Sequence, residues 1–130
     1  MLMALNRVCV GKRNAQCRST PHSPNTSMHW ALRARWTKAW KEEVCWVILS
    51  CRKALGKFPK EHLTLHIHLY QCKPMDTDNL YASVKPIVDG LKVNGGCGLI
   101  VDDDAKHLNL TVSAHLVQGR ADEGVFLEIT

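Results

Sequence analysis

Long hydrophobic runs are missing from this chain. The apolar opening Met1-Leu2-Met3-Ala4-Leu5 stops at Asn6 and Arg7, too short for the apolar region of a secretory leader or for a membrane span. No membrane partner is therefore expected, and a cytoplasmic location is. The six cysteines form no C-x-x-C pair, which argues against a zinc knuckle or a disulfide framework and for reduced thiols. The D-x-D-x-D-G order of a calcium-binding loop, with its distant Glu, is absent, so that class of site is excluded. No Ser-His-Asp or Cys-His arrangement suggests a protein nucleophile. No repeat or low-complexity tract divides the chain, and 130 residues suffice for one core but not for two.

Acid is also in short supply: 12 Asp and Glu stand against 17 Lys and Arg, a net charge of +5 with a pI near 9.0. Yet six of those acids lie between Asp76 and Asp104 with only Lys85 and Lys92 among them, a local balance of −4, while the rest of the chain carries +9. A cationic body attracts phosphate and an anionic pocket attracts a divalent ion, the combination that a metal-dependent enzyme of nucleic acid needs. The pI alone would suit an anionic membrane equally well, and a solvated acidic loop is the simpler reading of a charge run. Spacing has to decide.

Leu2 to Val10 is weakly strand-like. Gly11 to Thr26 is polar and turn-rich, with Pro21, Pro24 and Asn25 beside Lys12, Arg13, Arg18 and a chargeable His22, which reads as a mobile basic loop. A helix is expected from Ser27 or Met28 to Ala54 or Leu55, before Gly56 and Pro59, with Leu32, Trp36, Trp40, Val44 and Val47 as its apolar stripe. At this spacing Trp36 and Trp40 read as core rather than as base-stacking platforms, whereas Trp30, beside the basic loop, stays open. His62 to Tyr70 alternates Leu63, Leu65, Ile67 and Leu69 against polar residues, the pattern of a half-buried strand. His66 and His68 share one side and could hold zinc, but no matching ligand pair lies elsewhere at a diagnostic spacing, which favours a polar sheet face or subunit contact. Leu108 to Leu116 and Val125 to Ile129 give two further strands, and the short Gln118 to Gly124 segment suggests that they form an antiparallel hairpin.

In the acidic segment, Asp76 and Asp78 follow Lys73-Pro74, where the chain must leave the sheet. Carboxylates at i and i+2 of extended chain project to one side and can share an ion. A helix then begins with Asp78 or Asn79 as its cap and Leu80, Val84, Ile87, Val88 and Leu91 as its apolar face. On a continuous helix Asp78, Lys85 and Asp89 fall within roughly 40° of arc, nearly opposite that face. Pro86 removes a backbone hydrogen bond and is expected to bend the helix. Asn94 to Gly98 reads as a flexible loop, followed by apolar Leu99-Ile100-Val101 and then Asp102-Asp103-Asp104. Three adjacent carboxylates raise one another's pKa unless a cation or lysine neutralises them, and a hard divalent ion suits their oxygens.

Taken in order, D-x-D-N-L at Asp76 to Leu80, Lys85, Asp89-Gly90-Leu91, and the D-D-D-x-K-H-L segment opening a strand at Asp102 to Leu108 resemble the RusA-type Holliday-junction resolvases. Ser23-Pro24-Asn25 and Met28-His29-Trp30, leading into an Arg-rich helix, resemble prophage members of that family, so the resemblance runs from about Pro21 to the C terminus. The resemblance implies a homodimeric, Mg2+-dependent endonuclease, with Mn2+ a possible substitute, that cuts branched DNA in recombination and repair. By motif position Asp76, Asp78 and Asp103 would be the metal ligands, Asp102 being the rival of Asp103, since a triple Asp leaves the register open by one. Lys85 matches the family's active-site lysine and Asp89 a recurrent helix acid, with Asn79 and Asp104 supporting. Lys12, Arg13, Arg18, Arg33 and Arg35 would contact DNA backbone. The Gly-rich loop is longer than the family's, and Met1 to Thr20 has no match. The fold expected is α+β, a two-layer single domain over 1–130 with a mixed or antiparallel sheet of about four strands against two main helices, 1–26 being the weak strand and basic loop and 27–130 the core. A module that binds branched DNA without cutting it, or a nuclease of forks and flaps, would present much of the same sequence.

Overall fold

The computed structural model describes residues 1–13 and 15–130. It is an α+β domain whose four-stranded mixed sheet has the order β1-β6-β4-β5, with β1 at Leu2–Ala4, β4 at Leu63–Gln71, β5 at Leu108–Leu116 and β6 at Gly124–Ile129. β4 is the organising strand. Leu63, Leu65, Ile67, Leu69 and Gln71 are buried while the residues between them are half-exposed, so one face of the sheet meets the core and the other meets solvent. β5 pairs with β4 in parallel and β6 pairs with it antiparallel.

The expected β5–β6 hairpin is not formed, because β4 lies between the two strands. Residues 117–123 cross the end of β4 instead, a step of two strand spacings or about 10 Å, well within reach of seven residues. The crossing is fastened at both ends: the Val117 amide donates to the Gln71 carbonyl at 3.1 Å, and the Cys72 amide donates to Glu123 Oε2 at 3.0 Å.

The long helix α1, Trp30–Ser50, starts at His29, whose Nδ1 accepts from the Ala31 amide, and is followed after Cys51 by the short α2, Arg52–Leu55. Trp36, Trp40, Val44 and Ile48 recur at i, i+4 steps and are buried against the inner face of the sheet in a single core with Leu65, Ile67 and Leu127. This bears out Trp36 and Trp40 as core residues, while Trp30 and Trp46 are exposed.

The N-terminal segment differs from expectation. Only Leu2–Ala4 joins the main sheet; Val8–Val10 (β2) turns away to pair with Gln16–Arg18 (β3) in a separate hairpin. Cys9 and Cys17 face each other in that register and are joined by a disulfide, so two of the six thiols are not free, while Cys45, Cys51, Cys72 and Cys97 are. Their separation in sequence hid a cross-strand pair that only the hairpin brings together. His22 stands edge-on to Trp36; burial, with Arg18 and Arg33 nearby, lowers its pKa to about 4, so it adds no charge at neutral pH, contrary to its count among the basic residues.

Between β4 and β5 the chain makes two short helices rather than one, α3 at Thr77–Ser83 and α4 at Lys85–Asp89, with Val84 at φ −90°, ψ 1° breaking them. The cause is Pro86. Lacking an amide hydrogen, it is tolerated in a first turn but not in a helix interior. Gly90 then lets α4 lie against α1, since a Cβ there would come 2.5 Å from Val44 Cγ1. The Gly-rich segment expected to be flexible is a pinned turn: the Cys97 amide donates to the Gly90 carbonyl, Gly98 to Lys92, and Ile100 to Leu91. No helix of the described residues is long and apolar enough to cross a membrane.

Candidate functional site

Two polar clusters occupy different parts of the surface. The first is the acidic segment. Asp76, rather than Asp78 or Asn79, is the N-cap of α3, and its carboxylate makes no capping hydrogen bond. An N-cap Asp ordinarily spends an oxygen on the N2 or N3 amide, so this carboxylate is left for another use. Asp78 lies in the first turn and is exposed, and Asn79 beside it is half-buried. Among the described residues neither Asp76 nor Asp78 has an ion-pair partner.

The remaining acids converge on two lysines. Lys85 Nζ lies 3.0 Å from Asp89 Oδ1 and 2.8 Å from Asp103 Oδ2; Lys92 Nζ lies 3.1 Å from Asp89 Oδ1, 3.3 Å from Asp103 Oδ2 and 3.7 Å from Asp102 Oδ1. The hydrogen bond from Lys85 is the main cause that draws the Asp103 carboxyl down to about 2, and the same bond raises Lys85 well above an ordinary lysine. Burial works against ionisation of Asp89, yet Lys85 and Lys92 together hold its carboxyl below the usual range. The three adjacent Asp are not equivalent. Asp103 reaches both lysines; Asp102 accepts from the Asp103 amide and touches Lys92; Asp104 turns away to accept from His107 Nδ1 at 2.6 Å and from the His107 amide at 3.1 Å as the chain enters β5. Lys92 was not singled out in the sequence; its contribution follows from the pinned turn.

The structure thus unites Lys85, Asp89, Asp102 and Asp103 and leaves Asp76 and Asp78 at the far end of α3, outside this ion-pair network. Asp78 lies on α3, and Lys85 and Asp89 on α4, across the break at Val84, and Asp78 shares no ion pair with them. The three expected ligands Asp76, Asp78 and Asp103 do not form a closed set: among the described residues, the only three His, Cys, Asp or Glu side chains with ligand atoms all within 4.8 Å of one another are His66, His68 and Glu128.

That group is the second cluster, on the outer face of the sheet. His66 and His68 come from β4 and Glu128 from β6, directly across from His66. Glu128 Oε1 lies 2.9 Å from His68 Nε2 and 3.9 Å from His66 Nδ1. The hydrogen bond from His68 is the main cause lowering the Glu128 carboxyl. The His66 and His68 rings stack at 3.9 Å between centroids, and Tyr70 stacks on His115 of β5 at 4.5 Å. The alternation in β4 placed both histidines on one side; Glu128 could not be found that way because strand pairing, not spacing, supplies it.

The basic residues are dispersed. Lys12 and Arg13 are exposed at the turn of the β2–β3 hairpin, Arg18 donates from Nε to the Thr20 carbonyl at 3.1 Å, and Arg35 is exposed on α1. Arg33 donates to the Thr26 carbonyl and also lines a shallow groove along α1 with Trp30, Thr37, Lys38 and Lys41. Three cations beside an exposed Trp are the makings of a phosphate-contacting strip with one stacking platform. Helical spacing of Lys38 and Lys41 with Arg33 and Trp30 was the available signal for the two lysines.

No protein-family model, curated protein or solved structure matches the chain.

Proposed function

We propose that this protein is a metal-dependent endonuclease of branched DNA, acting as a homodimer on four-way junctions in recombination and repair, in the cytoplasm of a bacterial or phage-infected cell. The observation that carries the reading is the convergence of Asp89, Asp102 and Asp103 on Lys85 and Lys92, acids from a helix and from a strand-entry loop gathered on the surface of a basic protein.

The chemistry of the donors, though not their spacing, suits a hard divalent cation such as Mg2+ or Mn2+. All are carboxylate oxygens, Asp76 spends none on its own helix, and both lysines engage Oδ2 of Asp103, leaving its Oδ1. Asp76, Asp78 and Asp103, which do not form a closed set in the structure, would have to draw together to hold the cation, and Asp102 stands beside Asp103 as the alternative. When bound, such an ion supplies an acidified water and offsets charge on the departing oxygen. Asp89 positions Lys85 across one helical turn, and Lys85, more than half exposed, can exchange a carboxylate for a phosphate oxygen of the substrate. Asn79 and Asp104 support the ends of the segment. Arg33, Lys38 and Lys41 on α1, with Lys12, Arg13, Arg18 and Arg35, supply contacts to backbone phosphates that carry no sequence information. A two-fold dimer offers paired sites to the two opposed strands of a nearly two-fold junction.

The test is incubation of the pure protein with labelled four-way junction, fork and linear duplex, with Mg2+ and with chelator. Paired, symmetric, Mg2+-dependent nicks confined to the junction are expected. Nicks at forks or flaps would identify a broader structure-specific nuclease, and junction binding with no cleavage under any divalent metal would make the protein a non-cutting binding module.

A further inference from the structure

The geometry points to a second metal site of another chemical class: we infer that His66, His68 and Glu128 form a three-ligand site for a borderline-soft divalent cation, Zn2+ or Co2+, on the outer face of the sheet. The ligands come from adjacent strands of one rigid sheet, not from loops. Zn2+ holds imidazole nitrogen and carboxylate oxygen at about 2.0–2.2 Å, which sets neighbouring tetrahedral ligands about 3.4 Å apart. The separations of 2.9 Å and 3.9 Å from Glu128 Oε1 to His68 and His66 lie on either side of that value, and reaching it requires one imidazole to rotate out of the His66–His68 stack.

The outer nitrogens make the stronger argument. A ligating histidine needs its other nitrogen protonated and held by an acceptor, which fixes the tautomer and aims the lone pair. Both histidines have such a partner, and β5 provides both. His66 Nε2 lies 2.6 Å from Ser113 Oγ, and His68 Nδ1 lies 3.1 Å from His115 Nε2. If each outer nitrogen donates, His66 Nδ1 and His68 Nε2 are left as the free lone-pair donors on the Glu128 side, and turning one ring out of the 3.9 Å stack lets both reach a shared ion. His68 Nε2 and Glu128 Oε1 at 2.9 Å need a proton or a cation between them, so an ion would take the place of the hydrogen-bond proton, and the three-ligand arrangement leaves a fourth position open to water or to another ligand. Imidazole donors select Zn2+ over Mg2+, whereas the all-oxygen acidic cluster selects the reverse. This site is independent of the nuclease reading.

The experiment titrates tag-free protein with Zn2+ by calorimetry and with Co2+ by visible absorption. One equivalent per chain is expected, with a tetrahedral Co2+ spectrum free of thiolate charge-transfer bands. His68→Gln and Glu128→Gln should each weaken binding by about tenfold or more, and Asp76→Asn should leave it unchanged. Since either sheet variant could lose its fold, the histidine ring resonances of the unaltered protein are followed by NMR during the Zn2+ titration; those of His66 and His68 should move together and saturate at one equivalent. Absence of saturable binding, a thiolate spectrum implicating the free cysteines, undiminished affinity in both folded variants, or ring shifts confined to other histidines would each overturn the site.

Discussion

The acidic cluster and the histidine face are both groups of polar side chains on one small domain, yet they are held in different ways. Lys85, Asp89 and Lys92 sit on a short helix and the turn after it, and Asp103 sits on the approach to β5, so their geometry depends on how α4 seats against α1. His66, His68 and Glu128 are fixed by the hydrogen-bonded register of β4 and β6. The first cluster balances its charges with lysines, so a cation or a phosphate can compete for them. The second sets two imidazoles beside one carboxylate and has no lysine in its ion pairs. A ladder fixes the spacing of side chains on neighbouring strands, whereas a helix and a loop set theirs through packing.

The comparison would be sharpened most by Asp78→Asn and Asp76→Asn. If the acidic segment is the hydrolytic site, each should lower junction cleavage by about 100-fold or more, a magnitude typical of losing one transition-state contact, while junction binding in a gel-shift assay and Zn2+ binding persist. Intact cleavage in both variants would break the assignment. Gly90→Ala comes next. The new methyl would meet Val44, so α4 should be pushed off α1 and stability should fall by about 1–3 kcal/mol in urea unfolding, with the Zn2+ stoichiometry of the folded protein unchanged. Ser113→Ala should lower Co2+ affinity about tenfold by releasing the outer nitrogen of His66, and should leave cleavage as it was.

The smallest effect is the acid response of Asp103. Its pKa is lower in the folded chain, about 2 against an ordinary 3.8. The unfolded chain therefore takes up its proton first, and the stabilisation from Asp103 is complete above 3.8 and declines as the pH falls from there through about 2. Asp103→Asn should flatten that part of the stability curve in an acid titration followed by circular dichroism. The exposed position of the pair keeps the change modest, and an identical curve for the variant would remove Lys85 as Asp103's partner.

Much of the scaffold was legible in the residue order because it rests on periodicity. Alternation along His62 to Tyr70 and the helical steps of Trp36, Trp40 and Val44 require only that each element bury one side, and these faces are buried, though Ile48 rather than Val47 completes the helix stripe and Leu32 is half-buried. Pro86 was read as a bend, but its effect is a full break, because a ring at the second position of a new helix is more comfortable than one inside an old helix. The supposed hairpin of β5 and β6 illustrates the limit: nearness in sequence suggests pairing, yet β4, the strand buried along one whole face, has backbone donors and acceptors on both edges and takes a partner on each. The same long-range pairing concealed Glu128 from the histidines and Cys17 from Cys9.

The sequence by itself determined the α+β class, the two buried tryptophans and the concentration of acid between Asp76 and Asp104, since each follows from local spacing and charge. Only the tertiary structure decided which acids meet Lys85 and Lys92, that Asp104 is turned aside to His107, and that Glu128 closes on His66 and His68. Those contacts join residues far apart in the chain, and their distances are set by strand register and by a single glycine-sized gap between two helices, quantities that no local pattern encodes.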